Sequence, residues 1–320
     1  MRKILFFAVL VLLMVACMSE QGKSGKEVII FHAGSLTVPL NEIARSFEKE
    51  NPGVKILTEA AGSLVCARKV TELKKPCDIV ASADYFVIDK MLIPGYASWG
   101  IRFATNEIVI AYSEKSKYSG EIDSTNWFEI LQRPDVIYSR SDPDSDPCGY
   151  RSVLTFMLSE KYYNKPGLTE KFLVKDKAFI RPKEVDLVAL LDAGATDYMF
   201  QYKSVAIQHG MKFLELPDQI NLSDPEHNYF YKTASVDVVG SSPGSTMRIT
   251  GEYINYSLTV INQAPNRELA ERFVEYVISP AGMEIFRKNG QDPIIPFSTD
   301  QKENLPQRLL KHLKNNPAEK

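Results

Sequence analysis

The sequence is poor in the features that usually announce an enzyme or a nucleic-acid binder. Its formal net charge is −2 over 320 residues and its basic residues form no long run, so it lacks the surface that polyanions select. There is no Gly-x-Ser-x-Gly nucleophile elbow, no Walker phosphate loop and no His-Glu-x-x-His zinc motif, which leaves an enzyme with little support. The four histidines, His32, His209, His227 and His312, show no metal-ligand spacing. Cysteine is scarce as well. Beyond Cys17 only Cys66, Cys77 and Cys148 remain, and an odd number leaves at least one free thiol. Cys66 and Cys77 bracket most of a predicted helix, which holds them roughly 16 Å apart. A disulfide tolerates about 7 Å, so no bridge between them is expected. No apolar run reaches the roughly 20 residues that a membrane-spanning helix needs.

What is present begins with an export signal. Arg2-Lys3 precedes a continuous apolar stretch from Ile4 to Ala16, and residues 1–16 read as a signal peptide. Met14-Val15-Ala16-Cys17 is similar to the bacterial lipobox. The likeness implies cleavage before Cys17 and lipidation there; a plain signal peptide followed by a chance cysteine is the alternative. Residues 17–26 are polar and read as a tether. With 44% hydrophobic and 24% charged residues, the remainder is globular, and its length suggests two lobes.

The chain is organised around His32-Ala33-Gly34-Ser35-Leu36. A strand-like apolar run, Val28 to Phe31, precedes it, and Leu36, Leu40, Ile43 and Phe47 recur after it at helical spacing. Gly34 lets a ligand approach the backbone. Ser35 offers a hydroxyl, and the first helical turn offers unpaired N–H groups and partial positive charge. Such a turn cradles an anion without Lys or Arg, although a capped helix of no further consequence has the same local sequence. The device recurs at Ala60-Ala61-Gly62-Ser63-Leu64, after Val54 to Leu57. Two such turns suit one crevice at the ends of an open α/β sheet.

Further along, Asp78 to Ala81, Glu107 to Tyr112, Val136 to Tyr138, Asp197 to Tyr202 and Tyr253 to Val260 read as strands. Helices are expected over Arg151 to Tyr163, Val185 to Asp192, Arg267 to Ile278 and Pro280 to Lys288. Val205 to Gly210 reads as irregular, Pro217 to Asn228 as a polar loop, and the tail after Phe297 as peripheral. Asp146-Pro147-Cys148-Gly149-Tyr150-Arg151 fits an N-cap followed by proline at the first helical position. A calcium loop through Asp142, Asp144 and Asp146 fails, because Pro147 and Val153 stand where glycine and glutamate are required. Glu184 follows Arg181-Pro182-Lys183 and suits the first turn of a helix, where a carboxylate complements the dipole. Tyr202 ends an apolar strand and reads equally as a half-buried aromatic.

Taken in order, Phe31 to Leu36, Gly62-Ser63, Asp78 to Tyr85, Asn106 to Val109 and Asp146 to Arg151 resemble the molybdate/tungstate-binding proteins of ABC transporters, specifically the archaeal-type tungstate branch. The resemblance runs from about residue 27 to about residue 297. It implies an α/β, two-lobed periplasmic-binding-protein fold of class II. Each lobe would be a mixed sheet flanked by helices, with two crossover strands as the hinge. The expected division is 27–110 and 253–297 for the first lobe, 111–252 for the second, and 298–320 for a polar tail. The implied ligand is tungstate or molybdate, with no other cofactor. Ser35 and Ser63 would bind it from the first lobe, and the Cys148 N–H and Tyr202 hydroxyl from the second. Asp146 and, eighteen residues before Tyr202, Glu184 would approach the metal itself. The partners implied are the ABC permease and, through Cys17, the membrane, for an exported monomer whose closed form the permease recognises. A phosphate or sulfate receptor of the same fold stays open, as does a secreted phosphoryl- or sulfuryl-transferring enzyme.

Overall fold

The structure is a computed structural model that describes residues 26–240 and 244–313. The signal peptide, Cys17, most of the tether and the end of the tail lie outside the described residues. The strands are β1 (Lys26–Ala33), β2 (Val54–Ala61), β3 (Ile79–Ser82), β4 (Ile101–Thr105), β5 (Ile108–Tyr112), β6 (Tyr138–Ser141), β7 (Ile180–Arg181), β8 (Tyr198–Tyr202), β9 (Lys212–Glu215), β10 (Ser235–Val239), β11 (Thr246–Thr250), β12 (Asn255–Val260) and β13 (Asp292–Ser298). The helices needed below are α1 (Thr37–Glu50), α2 (Ser63–Thr71), α3 (Pro147–Tyr162), α4 (Asp186–Asp192) and α5 (Arg267–Val277).

Two mixed sheets form two lobes. The first runs β13-β4-β12-β3-β1-β2 and the second β7-β6-β8-β5-β9, with β10-β11 as a separate hairpin. In the first, β1 lies parallel to β2 and β3, while β12 is antiparallel to β3 and β4. The inner strands β3 and β12 are buried throughout, as strands covered on both faces must be. Helix α1 forms because Leu40, Ile43, Ala44 and Phe47 share one face, and that face is buried. Phe47 meets the ring of Phe273 on α5 edge-on at 5.2 Å.

The passage between lobes differs from the boundary at 110/111. Strand β5, as apolar as expected, pairs with β8 and β9 of the second sheet. The chain therefore crosses at Asn106-Glu107, and 110/111 falls inside a strand of the second lobe. The apolar run reports burial but not which sheet provides it. The chain returns at β12, which opens at Asn255. Three local expectations are also corrected. Lys203–Gln208 is helical. The polar loop after Pro217 contains the helix Asp218–Asn221, with Ile220 buried. The tail includes the helix Gln307–Leu313, whose Leu309 is fully buried.

Candidate functional site between the lobes

Both lobes build the site by the same construction. In the parallel register of β1 and β2, Ala33 lies opposite Ala61, so the Gly34-Ser35 and Gly62-Ser63 turns stand side by side, about one strand spacing apart. Strand β3 continues the parallel set and leads to Ala83-Asp84. In the second lobe β6 is parallel to both β7 and β8. Their carboxyl ends lead to Asp146, Glu184 and Tyr202 respectively. Ligands of open α/β sheets sit at such ends.

Ser35, Ser63, Asp146, Cys148, Glu184 and Tyr202 are all completely buried there. The lobes meet over them. An ideal Cβ on Gly34 would stand 2.9 Å from Glu184 Oε2 and 3.0 Å from Val185 Cγ2. One on Gly62 would stand 2.1 Å from the Ser145 carbonyl oxygen. Arg68 of α2 donates across the cleft to the carbonyls of Asp144 and Val239, both at 2.8 Å.

Capping does not account for the two serines. Neither turn has a side-chain cap bond. Ser35 Oγ instead bonds the Tyr256 hydroxyl at 2.9 Å, and Ser63 Oγ accepts from the Ala83 N–H at 3.0 Å. The Ser35 N–H donates to Glu184 Oε1 in the opposite lobe.

Asp146 is an N-cap, accepting from Cys148 N at 3.2 Å, and it does more. Its other oxygen accepts from Glu184 N at 2.8 Å. Burial, then the neighbouring Glu184 carboxylate, push the Asp146 carboxyl well above its usual range. Glu184 is not in a helical first turn, because α4 begins only at Asp186. Its carboxylate reaches the other lobe, and Oε2 is buried with no hydrogen-bond partner. The Tyr202 hydroxyl is equally buried, not at a surface. It accepts from Arg151 Nη1 at 2.7 Å. The Cys148 thiol is pushed up by burial and by the two carboxylates, as an unreactive buried thiol is. Cys66 and Cys77 are buried free thiols.

Three neighbours were given no role in the site by sequence, although Asn106 and Arg151 lie in the motifs that carry the family resemblance. Arg151 Nη1 also donates to the Ala83 carbonyl at 2.6 Å, and Nη2 lies 3.1 Å from Asp84 Oδ2. This buried ion pair joins α3 of one lobe to the first sheet of the other. Burial opposes the Arg151 charge, but Tyr202 and Asp84 more than offset it. Tyr256 and Asn106 stand behind Ser35, joined at 3.0 Å. Tyr256 carried no signal beyond its place in an expected strand. His32, just before the first turn, is lowered to about 4 by burial, so it brings no charge to the site near neutrality. Among the described residues no group of three or more His, Cys, Asp or Glu side chains is arranged to hold a free metal ion. The arrangement is one for an anion: hydroxyl and backbone donors from both lobes, one buried guanidinium, and two carboxylates that need a reason to be there.

Comparison with known proteins supplies the family. A protein of Petrotoga mobilis described as an uncharacterized solute-binding protein is 49% identical over 289 residues, covering 90% of each chain. The molybdate/tungstate-binding protein WtpA of Pyrococcus abyssi is 44% identical over 318 residues, covering 90% of this chain and 91% of that one. Among solved structures, the periplasmic molybdate-binding protein of Azotobacter vinelandii matches with a TM-score of 0.61 at 16% identity, over 84% of this chain and 99% of that one. The sulfate-binding protein SubI of Mycobacterium tuberculosis matches at 0.62 and 14%, over 85% and 88%. Identities that low speak for the fold alone, which is the two-lobed periplasmic-binding-protein fold. Residues 28–291 match the family model of the bacterial extracellular solute-binding proteins, and with relatives this similar over this much of its length, the chain belongs to that family.

Proposed function

We propose that this receptor captures tungstate or molybdate between its lobes and delivers it to the permease of an ABC importer. One observation carries the choice of ligand. A fully buried carboxylate oxygen, Glu184 Oε2, has no hydrogen-bond partner and faces the Ser35 turn, next to a second buried carboxyl, Asp146. Two acids beside a dianion are unfavourable unless they gain a bond. Tungsten(VI) and molybdenum(VI) are hard centres that accept further oxygen ligands, whereas the sulfur of sulfate cannot. The carboxylates thereby favour the metal oxyanions and repel sulfate. Ser35, Ser63 and Tyr202 donate to the anion oxygens. If Asp146 turns from its cap to the metal, the Cys148 N–H is released for the anion as well. The name of the Pyrococcus relative supports the same ligand.

Thermal melting against tungstate, molybdate, sulfate and phosphate tests this. A ligand at 100 times its dissociation constant adds about 2.7 kcal/mol. Tungstate and molybdate should raise the melting temperature most; an equal or larger rise with sulfate refutes the role of the carboxylates, and a rise with phosphate alone favours a phosphate receptor. The lipobox-like Met14-Val15-Ala16-Cys17 supports a lipid anchor at Cys17. Cys17→Ala should release the protein from the membrane fraction with ligand binding intact, and its retention there after normal processing refutes the anchor.

A further inference from the structure

We propose that Asn106 and Tyr256 form a relay that sets the direction of the Ser35 hydroxyl, making it an obligatory donor to the oxyanion. Both are positioning residues, acting through Ser35. The inference rests on reading Ser35 as an anion ligand.

The directions follow from bonds that admit only one sense. Asn106 Oδ1 accepts from the N–H of Glu107 at 2.9 Å and from that of Ser204 at 3.4 Å. Backbone N–H groups only donate, so the amide oxygen is identified and the amide nitrogen must face the other way. It donates to Ser204 Oγ at 2.8 Å and to the Tyr256 hydroxyl at 3.0 Å. Tyr256 therefore receives a bond and still has its own proton to place. Its hydroxyl is fully buried, and a buried proton without an acceptor is costly. The acceptor is Ser35 Oγ, 2.9 Å away. Burial holds the Tyr256 phenol above its usual range, so the proton is present. Having accepted from Tyr256, Ser35 has its own proton left to donate into the cleft.

The relay is also tied to the hinge. Asn106 stands where the chain first passes between the sheets, and Tyr256 stands on β12, where it returns. Ser204 stands two residues after Tyr202 in the second lobe. A serine hydroxyl left to itself is a rotor that ligand binding must order; here the scaffold at the crossover has ordered it beforehand.

A double-mutant cycle on the full mature protein, read by titration calorimetry with tungstate, tests the relay. Ser35→Ala should weaken binding. Tyr256→Phe keeps the ring and should weaken binding roughly five- to tenfold, the scale of one ordinary hydrogen bond. In the Ser35→Ala background it should change affinity by less than about twofold. The same loss in both backgrounds, or no loss in either, overturns the relay. Wild-type affinity in Ser35→Ala overturns the reading of Ser35 itself, and the relay with it. Asn106→Asp provides a second test, because a carboxylate accepts a hydrogen bond from the Tyr256 hydroxyl, which must then accept from Ser35, so the bonds that lead to Ser35 run the other way. Its added charge acts whether or not Tyr256 is present, so affinity should fall further with Tyr256 than with phenylalanine there; equal losses overturn the relay.

Discussion

Adding one methyl group at Gly34 or Gly62 should separate closure of the cleft from folding of the lobes. The atoms that crowd these glycines belong to the opposite lobe. For Gly34 they are the carboxylate oxygens of Glu184 at 2.9 and 3.0 Å and Val185 Cγ2 at 3.0 Å. For Gly62 they are the Ser145 carbonyl oxygen at 2.1 Å, its carbon at 2.7 Å and the Pro182 oxygen at 3.1 Å. With the lobes apart neither methyl meets those atoms. Neither glycine has a positive φ, so alanine suits the backbone and is expected to leave the ligand-free melting temperature unchanged or slightly raised. With the lobes together the Gly34→Ala methyl displaces the end of a flexible side chain. Overpacking of that size costs about 1–3 kcal/mol, or roughly 5- to 150-fold in tungstate affinity. Gly62→Ala meets backbone, which yields less, and its loss should be the larger. Calorimetry gives the affinities, solution scattering the compaction on binding, and melting of the empty protein the control. Full affinity and full compaction in Gly62→Ala would show that the lobes do not close in this register. A matching loss of stability in the empty protein would show that the glycines serve folding.

The two carboxylates should respond to charge removal in an anion-specific way: Asp146→Asn, which still caps α3, and Glu184→Gln should each weaken tungstate binding while sulfate binding improves or falls less. Parallel losses in calorimetry would reduce both acids to scaffold. His32 titrates at about 4 in the fold against 6.5 when free, so the unfolded chain binds the proton first. Stability from this residue is complete above pH 6.5 and lost as pH falls towards 4, by up to about 3 kcal/mol. Urea unfolding across that window should show a shallower pH dependence in His32→Gln, and identical slopes would contradict the burial of the neutral ring. Arg151→Met leaves Asp84 buried without its cation when the lobes meet. The cost of about 3–5 kcal/mol is an upper bound, because Asp84 regains water on opening. Tungstate affinity should fall by no more than roughly two to four orders of magnitude, with partial recovery in the Asp84→Asn/Arg151→Met double variant; wild-type affinity in the single variant would remove the ion pair from the closed state.

The two Gly-Ser turns were legible because strand, glycine, serine and amphipathic helix follow one another within a few residues. The supporting cast was not, since its contacts exist only after folding. Ser35 and Tyr256 are 221 residues apart and Asn106 and Tyr256 are 150 apart, and no local pattern joins them. Asp146 was read correctly as a cap, yet its second oxygen serves Glu184 N, 38 residues away. Strand β5 was recognised by its apolarity and given to the wrong sheet, because pairing is decided by partners elsewhere in the chain. Strand β9 and the hairpin β10–β11 escaped because they are short and largely half buried or exposed, so no buried face marks them. In the tail, Leu305 and Leu309 are buried among polar neighbours, a docking that composition alone conceals.

The sharing of one anion shell between two lobes has a kinetic consequence. In the proposed site, cargo held by Ser35 and Ser63 on one side and by Glu184 and Tyr202 on the other would have no exit except through opening. Its dwell time is therefore at least that of the closed state, and each contact across the cleft lengthens both. The Arg151–Asp84 pair and the Arg68 bridge touch lobe to lobe, so they act on retention as a clasp does. On the proposed reading, firmer retention would thus go with slower spontaneous release, and a transporter partner that draws the lobes apart would set the pace of delivery.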